Sequence, residues 1–313
     1  MPRRILILGG ARFLGLKLAE HFCLKNDEVS VLNRGRFRSA YDERIRHLKS
    51  DRNDVESLRE ILKEYYFDVI IDNNAYFSSQ VDSILECMGD KCGHYIFTST
   101  AAIYINQFYT PPVESYAANK MAAEDALKEK AEGLNYTIMR PANIFGEGDF
   151  AGKLVYFYNR LIDRGGILLE KEIDRFSIIY AEDLVNAYDI VAGNPVFFKK
   201  ILNIADSDTY NYHDFFSAIF GSLYADDCLT LAPGREIWNL GYRLPFAWGL
   251  PIALSEDLSG KIKHHHPSVW GKAALEWERE KLMKKMDSSD YRRMRKVELD
   301  AIRKIKDGIR YAG

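Results

Sequence analysis

The chain has 313 residues, 47% of them hydrophobic and 28% charged, an ordinary globular composition that excludes wholesale disorder. That length suggests about two domains and can bury a large core without staples. Lysine plus arginine number 43 against 45 aspartate plus glutamate, a formal charge of −2, which argues against a bulk nucleic-acid or membrane-surface binder.

Residues 4–8 read as a strand, too short an apolar run for a signal-peptide core. A glycine loop and a helix over 13–22 follow. Further strands are expected at 28–33, 46–48, 68–72, 94–99 and 135–140, with helices at 55–65, 79–88 and 114–131. Short apolar strands alternating with amphipathic runs imply βαβ units and an α/β fold with a parallel sheet covered on both faces. The alternation weakens after Gly146. From Lys272 to Arg310 the tail carries 13 basic and 8 acidic residues, read as a solvated helical face with a new N-cap near Ser288. No apolar run is long enough to span a membrane. Four cysteines without a CxxC pair point to buried thiols in a reducing cytoplasm.

The loop Gly9-Gly10-Ala11-Arg12-Phe13-Leu14-Gly15 opens the first helix. Glycines there permit a tight turn and close approach of a pyrophosphate, and the helix N-terminus offers free N–H groups. In the three-glycine pattern the middle glycine falls at Arg12. The second strand ends Asn33-Arg34-Gly35-Arg36, with no acid to hold an adenosine 2′-hydroxyl. Arg12, Arg34 and Arg36 therefore favour NADP over NAD. Asp51 and Arg52 follow the third strand, where they can border the adenine.

Tyr116 and Lys120 stand four apart on a predicted helix, on one face. An ammonium beside a phenol favours the phenolate, so Tyr116 is expected to be a proton donor and acceptor with a lowered pKa. Thr100 follows a strand, at the edge where open α/β sheets bind ligands, and can bond a reacting oxygen. Its alternative is a cap or turn role.

These motifs, with Arg140-Pro141-Ala142-Asn143-Ile144-Phe145-Gly146, occur in the order found in extended short-chain dehydrogenases/reductases. The chain resembles that family, including its atypical branch, over about residues 3–220. The resemblance implies a Rossmann doubly wound sheet with a smaller C-terminal substrate-binding lobe. It divides the chain into a dinucleotide-binding part, 1–148 completed by about 178–206, and a mainly substrate-binding part, 149–313. It implies Thr100, Tyr116 and Lys120 as catalytic residues, with Lys120 also on the nicotinamide ribose. Gly9, Gly10, Phe13, Leu14, Gly15, Asn74, Ala75 and Pro141 would join the residues above around the cofactor. Asn143 would contact the substrate diphosphate, and Arg175 lies one position off a phosphate-gripping arginine.

The implied activity is hydride transfer at a carbon of a nucleotide-linked sugar, ketoreduction or oxidation ahead of epimerisation, in a homodimer. Dehydratases of this family carry an acid pair after the threonine, where Ala101 and Ala102 stand here. Only eleven residues separate Tyr104 from Tyr116, shorter than in typical epimerases. The rival readings are a non-catalytic nucleotide- or RNA-binding protein on the same fold, and a reductase of a non-sugar small molecule. His264-His265-His266 is read as a loop rather than a metal site, because adjacent side chains diverge and no acid sits at ligand spacing. The tryptophans are read as core.

Overall fold

The computed structural model describes residues 1–36, 43–88, 91–104, 111–130, 132–246 and 248–308. In chain order the first part comprises β1 (Arg4–Leu8), α1 (Phe13–Leu24), β2 (Glu28–Asn33), β3 (Arg46–Lys49), α2 (Val55–Leu62), β4 (Val69–Asp72), α3 (Ser78–Met88), β5 (Tyr95–Thr98), α4 (Pro111–Lys130) and β6 (Tyr136–Pro141). The second part comprises β7 (Asn143–Phe145), α5 (Lys153–Ile162), β8 (Ile167–Glu170), β9 (Ile178–Tyr180), α6 (Ala181–Val191), β10 (Lys200–Ile204), α7 (Tyr212–Phe220), β11 (Leu229–Ala232), α8 (Gly234–Asn239), α9 (Pro267–Met286) and α10 (Ser289–Lys306).

Seven strands form one sheet in the order β10-β6-β5-β4-β1-β2-β3, every pairing parallel. The chain winds outward from β1 in one direction, then returns to β4 and winds in the other. That reversal places the loops after β1 and β4 at one switch point, where such sheets bind ligands. The central strands are apolar throughout because helices cover both faces: Ile5 and Ile7 face α1 and α6, Leu6 and Leu8 face the side of α2, α3 and α4. Of the 178–206 stretch expected to complete the dinucleotide-binding part, β10 joins the large sheet, but β9 pairs with β7 in a separate two-stranded sheet.

Helix ends follow local chemistry. Pro111 and Pro112 occupy the first turn of α4, where the missing N–H costs nothing, so the helix begins three residues before the expected 114. α2 ends at Leu62 rather than 65, and Tyr65 stacks on Phe67 with centroids 5.6 Å apart.

A second core is aromatic. Buried Trp248 sits 4.3 Å from the Phe176 ring and 5.4 Å from those of Phe157 and Phe215. Trp270 is also buried, while Trp238 and Trp277 are half-buried. The basic tail is not a purely solvated face. Arg295, Glu298, Ala301 and Ile302 are buried, and Arg295 bonds Asp163 Oδ2 at 2.8 Å and the Gly166 carbonyl at 2.9 Å. Ser288 caps α10 as expected, accepting from Tyr291 N.

Candidate active site

A cleft of about 590 Å³ opens at the C-terminal ends of β1 and β2. Gly9 has φ +86°, and a side chain there would come within 2.8 Å of Asn74 Cβ. A Cβ on Gly15 would lie 2.3 Å from the Gly9 carbonyl oxygen, so only glycine lets α1 press onto the turn; Gly10 and Leu14 complete this segment. Arg12 is an extended residue just before α1, its guanidinium 5.1 Å from the Phe150 ring centroid. Phe13 takes φ +45°, a conformation that costs a bulky residue of order 1–3 kcal/mol. This bare turn beneath a helix N-terminus fits a dinucleotide phosphate.

Arg34, Arg36, Asp51 and Arg52 line the same cleft. Asn33 Oδ1 accepts from Gly35 N at 2.8 Å and lies 3.0 Å from His47 Nε2. Arg34 reaches Asp51 at 3.9 Å. Arg52 forms part of the wall, but its guanidinium is committed elsewhere. It bonds both carboxylate oxygens of Asp72 at 2.7 Å, Asn74 Oδ1 at 2.6 Å and the Gln80 carbonyl at 2.7 Å. Asp72 is fully buried at the end of β4 and also accepts from Tyr95 Oη at 2.6 Å and Ala75 N at 3.1 Å. Burial pushes its carboxyl up, but Arg52 and Tyr95 outweigh that and hold it below its ordinary value. This carboxylate thereby fixes the Asn74–Ala75 turn. It is absent from the sequence reading, and its signal was an acid ending the otherwise apolar run Val69-Ile70-Ile71.

Thr100 follows β5, and Tyr116 and Lys120 stand on α4. Thr100 stands beside the Tyr116 phenol and accepts from Ala102 N at 3.1 Å. Lys120 is buried and donates to the Ala75 carbonyl at 2.6 Å and the Thr98 carbonyl at 2.8 Å. Burial draws its pKa down to about 8. Burial, then Tyr76, pushes the Tyr116 phenol up to about 12, with the Thr100 hydroxyl opposing. The expected lowering by Lys120 is therefore overturned here, because the ammonium is aimed at two carbonyls. At neutral pH Tyr116 is a protonated donor. Of the segment between Tyr104 and Tyr116, residues 105–110 lie outside the described residues.

Pro141 ends β6, paired with Ile204. Asn143 Nδ2 donates to the Trp248 carbonyl at 2.7 Å, at the seam between sheet and aromatic core. Arg175 lies apart. Its Nε donates to Thr209 Oγ1 at 2.6 Å, and it lines a separate surface depression with His213 and His266.

The model of the NAD dependent epimerase/dehydratase family matches residues 5–205. The chain belongs to this family. It is 28% identical over 230 residues to the chloroplast stem-loop binding protein of 41 kDa b of Arabidopsis thaliana, covering 65% of this chain and 58% of that protein. The chain thus spans under two thirds of that relative's length. Its fold matches the Bordetella bronchiseptica enzyme WbmH, solved with NAD+, at TM-score 0.71 and 16% identity, covering 90% and 100% of the two chains. It also matches a UDP-glucose 4-epimerase of Thermotoga maritima, solved with UDP-glucose, at TM-score 0.70 and 17% identity, covering 89% and 99%.

Outside the family's matched core, the histidine run has acid partners after all. His265 Nδ1 lies 2.6 Å from Asp183 Oδ1, and His264 Nδ1 3.5 Å from Asp206 Oδ1. Those acids arrive from α6 and from the loop after β10, too distant in sequence for spacing to reveal. Among the described residues, no three metal-binding side chains are grouped for a metal ion.

Proposed function

We propose that this family member transfers hydride at a carbon of a nucleotide-linked sugar. Tyr116 exchanges the proton with the sugar oxygen, Thr100 orients that oxygen, and Lys120 anchors the nicotinamide ribose. The observation that carries this reading is the meeting of the three side chains at one sheet end, Thr100 beside Tyr116 and Lys120 fastened next to them by the Ala75 and Thr98 carbonyls. The nicotinamide supplies the hydride chemistry when bound. Reduction or oxidation with net use of cofactor is the leading outcome, and epimerisation is the competing one. Arg12, Arg34 and Arg36 along the cleft, with Asn33 where an acid would select NAD, support NADP over NAD. In this reading residues 1–148 with about 178–206 hold the cofactor and the remainder holds the sugar. Asn143 serves the diphosphate, Arg175 is a phosphate contact only if the lobe closes, and two copies pair through helices flanking the sheet.

Native mass spectrometry of the purified protein tests cofactor and oligomer together, with bound NADP and a dimer expected. Turnover on a panel of nucleotide sugars beginning with UDP-glucose, and of small carbonyl compounds, tests substrate class. Cofactor consumed one-for-one marks a reductase; product formed without net consumption marks an epimerase. Tyr116→Phe should lower turnover about 10²- to 10⁴-fold while NADPH binding stays within about twofold of wild type by nicotinamide fluorescence. Full turnover in that variant overturns the mechanism. The stem-loop binding relative motivates a second reading, nucleic-acid binding on this fold. A salt-dependent mobility shift with stem-loop RNA, unchanged by Tyr116→Phe, would favour it.

A further inference from the structure

Behind the three candidate catalytic side chains lies a carboxylate that the reaction as drawn does not use. Glu124 stands one helical turn after Lys120 and two after Tyr116, on the same face of α4. It is fully buried, where a charge is costly unless paired. Its partners come from the two strands that end at the site. Ser99, adjacent to Thr100, donates its hydroxyl to Oε1. Arg140, adjacent to Pro141, donates from Nε to Oε1 at 2.9 Å and from Nη2 to Oε2 at 2.5 Å. Lys128 Nζ lies 3.9 Å from Oε2 at the outer rim. The remaining Arg140 nitrogen, Nη1, bonds Tyr104 Oη at 2.6 Å, and that hydroxyl donates to Asn203 Oδ1 at 2.9 Å.

We infer that Glu124 is a positioning residue, clamping the Tyr116–Lys120 face of α4 to the ends of β5 and β6 so that Lys120 meets Thr98 and Tyr116 meets Thr100. The inference rests on the proposed roles of Tyr116 and Lys120. A helix packed by apolar contacts alone can slide or roll by fractions of an ångström. Two charge-assisted bonds to a planar guanidinium fix both position and rotation. The buried apolar residues described on α4, Ala117, Ala123 and Leu127, are mostly small, so its roll is set by polar bonds, those of Lys120 to two carbonyls and those of Glu124 to Arg140 one turn on. Glu124 also acts on Lys120 through charge. The ammonium faces Asp72 from β4, Arg52 from the segment after β3 and Glu124 from its own helix. Asp72 and Glu124 favour its charged form, and Arg52 opposes it. Neutralising Glu124 removes one favourable charge and leaves Arg140 uncompensated, and both changes lower the Lys120 midpoint.

The test compares Glu124→Gln with wild type by two readouts that need no turnover. The first is the titration midpoint of Lys120 from side-chain NMR of lysine-labelled protein, assigned with Lys120→Arg. The second is the affinity for NADPH against that for 2′,5′-ADP, which carries only the adenine half. The expected result is a Lys120 midpoint lower by about half a unit or more. NADPH affinity should fall about tenfold while 2′,5′-ADP binding stays within about twofold. An unchanged midpoint with an unchanged affinity ratio overturns the inference, as does equal weakening of both nucleotides, which marks a merely structural residue. If Glu124→Gln does not fold, Arg140→Lys carries the test: it keeps the positive charge but loses the planar two-point contact, and a NADPH to 2′,5′-ADP ratio equal to wild type overturns the clamp. If wild type binds neither nucleotide the cofactor reading fails, and the Lys120 midpoint alone decides for or against the clamp.

Discussion

Two buried arginine–carboxylate pairs use the same chemistry for different ends. Arg52 and Asp72 meet at 2.7 Å beneath the cleft, and Arg160 and Glu298 meet at 2.7 Å between α5 and α10. The first pair makes directional bonds that end on the Asn74–Ala75 turn, with Arg52 Nε left without a partner, so its geometry is transmitted to a ligand-facing loop. The second is sheathed in rings. The Arg160 guanidinium lies 3.3 Å over Tyr156, and Nε has no hydrogen-bond partner. Arg295 Nη1 adds a second cation to Glu298 at 2.9 Å. The second pair holds a helix onto the lobe and touches no cleft residue. The number and destination of the surrounding hydrogen bonds, rather than the ion pair itself, separate a site-shaping pair from a docking pair.

The sharpest way to break this comparison is Arg160→Ala. Glu298 would be left buried without its main partner, at a cost of about 3–5 kcal/mol, read as a lower urea midpoint. NADPH affinity of the folded fraction should be unchanged; a loss of affinity would erase the distinction. Asp72→Asn should cost less stability, about 2–3 kcal/mol, because Arg52 borders the wet cleft. It should also weaken NADPH binding, since the Asn74–Ala75 turn loses its anchor.

Glu278 offers a third, pH-dependent comparison. It is buried, its Oε2 accepts from Val155 N at 2.8 Å at the start of α5, and burial raises its pKa to about 8. The folded protein therefore holds this proton longer than the unfolded chain does. The stability it lends is fully present below the ordinary glutamate range and is lost as pH rises toward about 8. Glu278→Gln should flatten the fall in urea midpoint across that window; an equal slope in both proteins would contradict the burial argument. Ser288→Ala, removing the cap of α10, should cost only about 1 kcal/mol by thermal melting and leave the docking pair intact.

Much of the sheet is readable in the sequence because its strands are short, apolar and bounded by glycine or polar turns: β1 and β2 match their expected limits exactly in residue number. The glycine turn and the Thr100, Tyr116 and Lys120 set are readable for the same reason, as local motifs. What escapes is everything held by contacts between distant segments. Asp72 with Arg52, Glu124 with Arg140, and Asp183 with His265 are each ordinary charged residues until the fold buries them. The direction of the Tyr116 shift escapes as well, because helical spacing brings Lys120 to the right face without saying that two carbonyls will take its protons. In the tail, Arg295 and Glu298 read as surface charge when only composition is counted.

The outermost strand next to β6 is β10, which leaves the ribosome about sixty residues later, a lag of several seconds at the usual rate of synthesis. Until β10 arrives, the backbone edge of β6 is an open template for a neighbouring nascent chain. Polysome crowding should therefore penalise this protein at one definable moment of its translation, and slow codons between the two strands would lengthen that exposure.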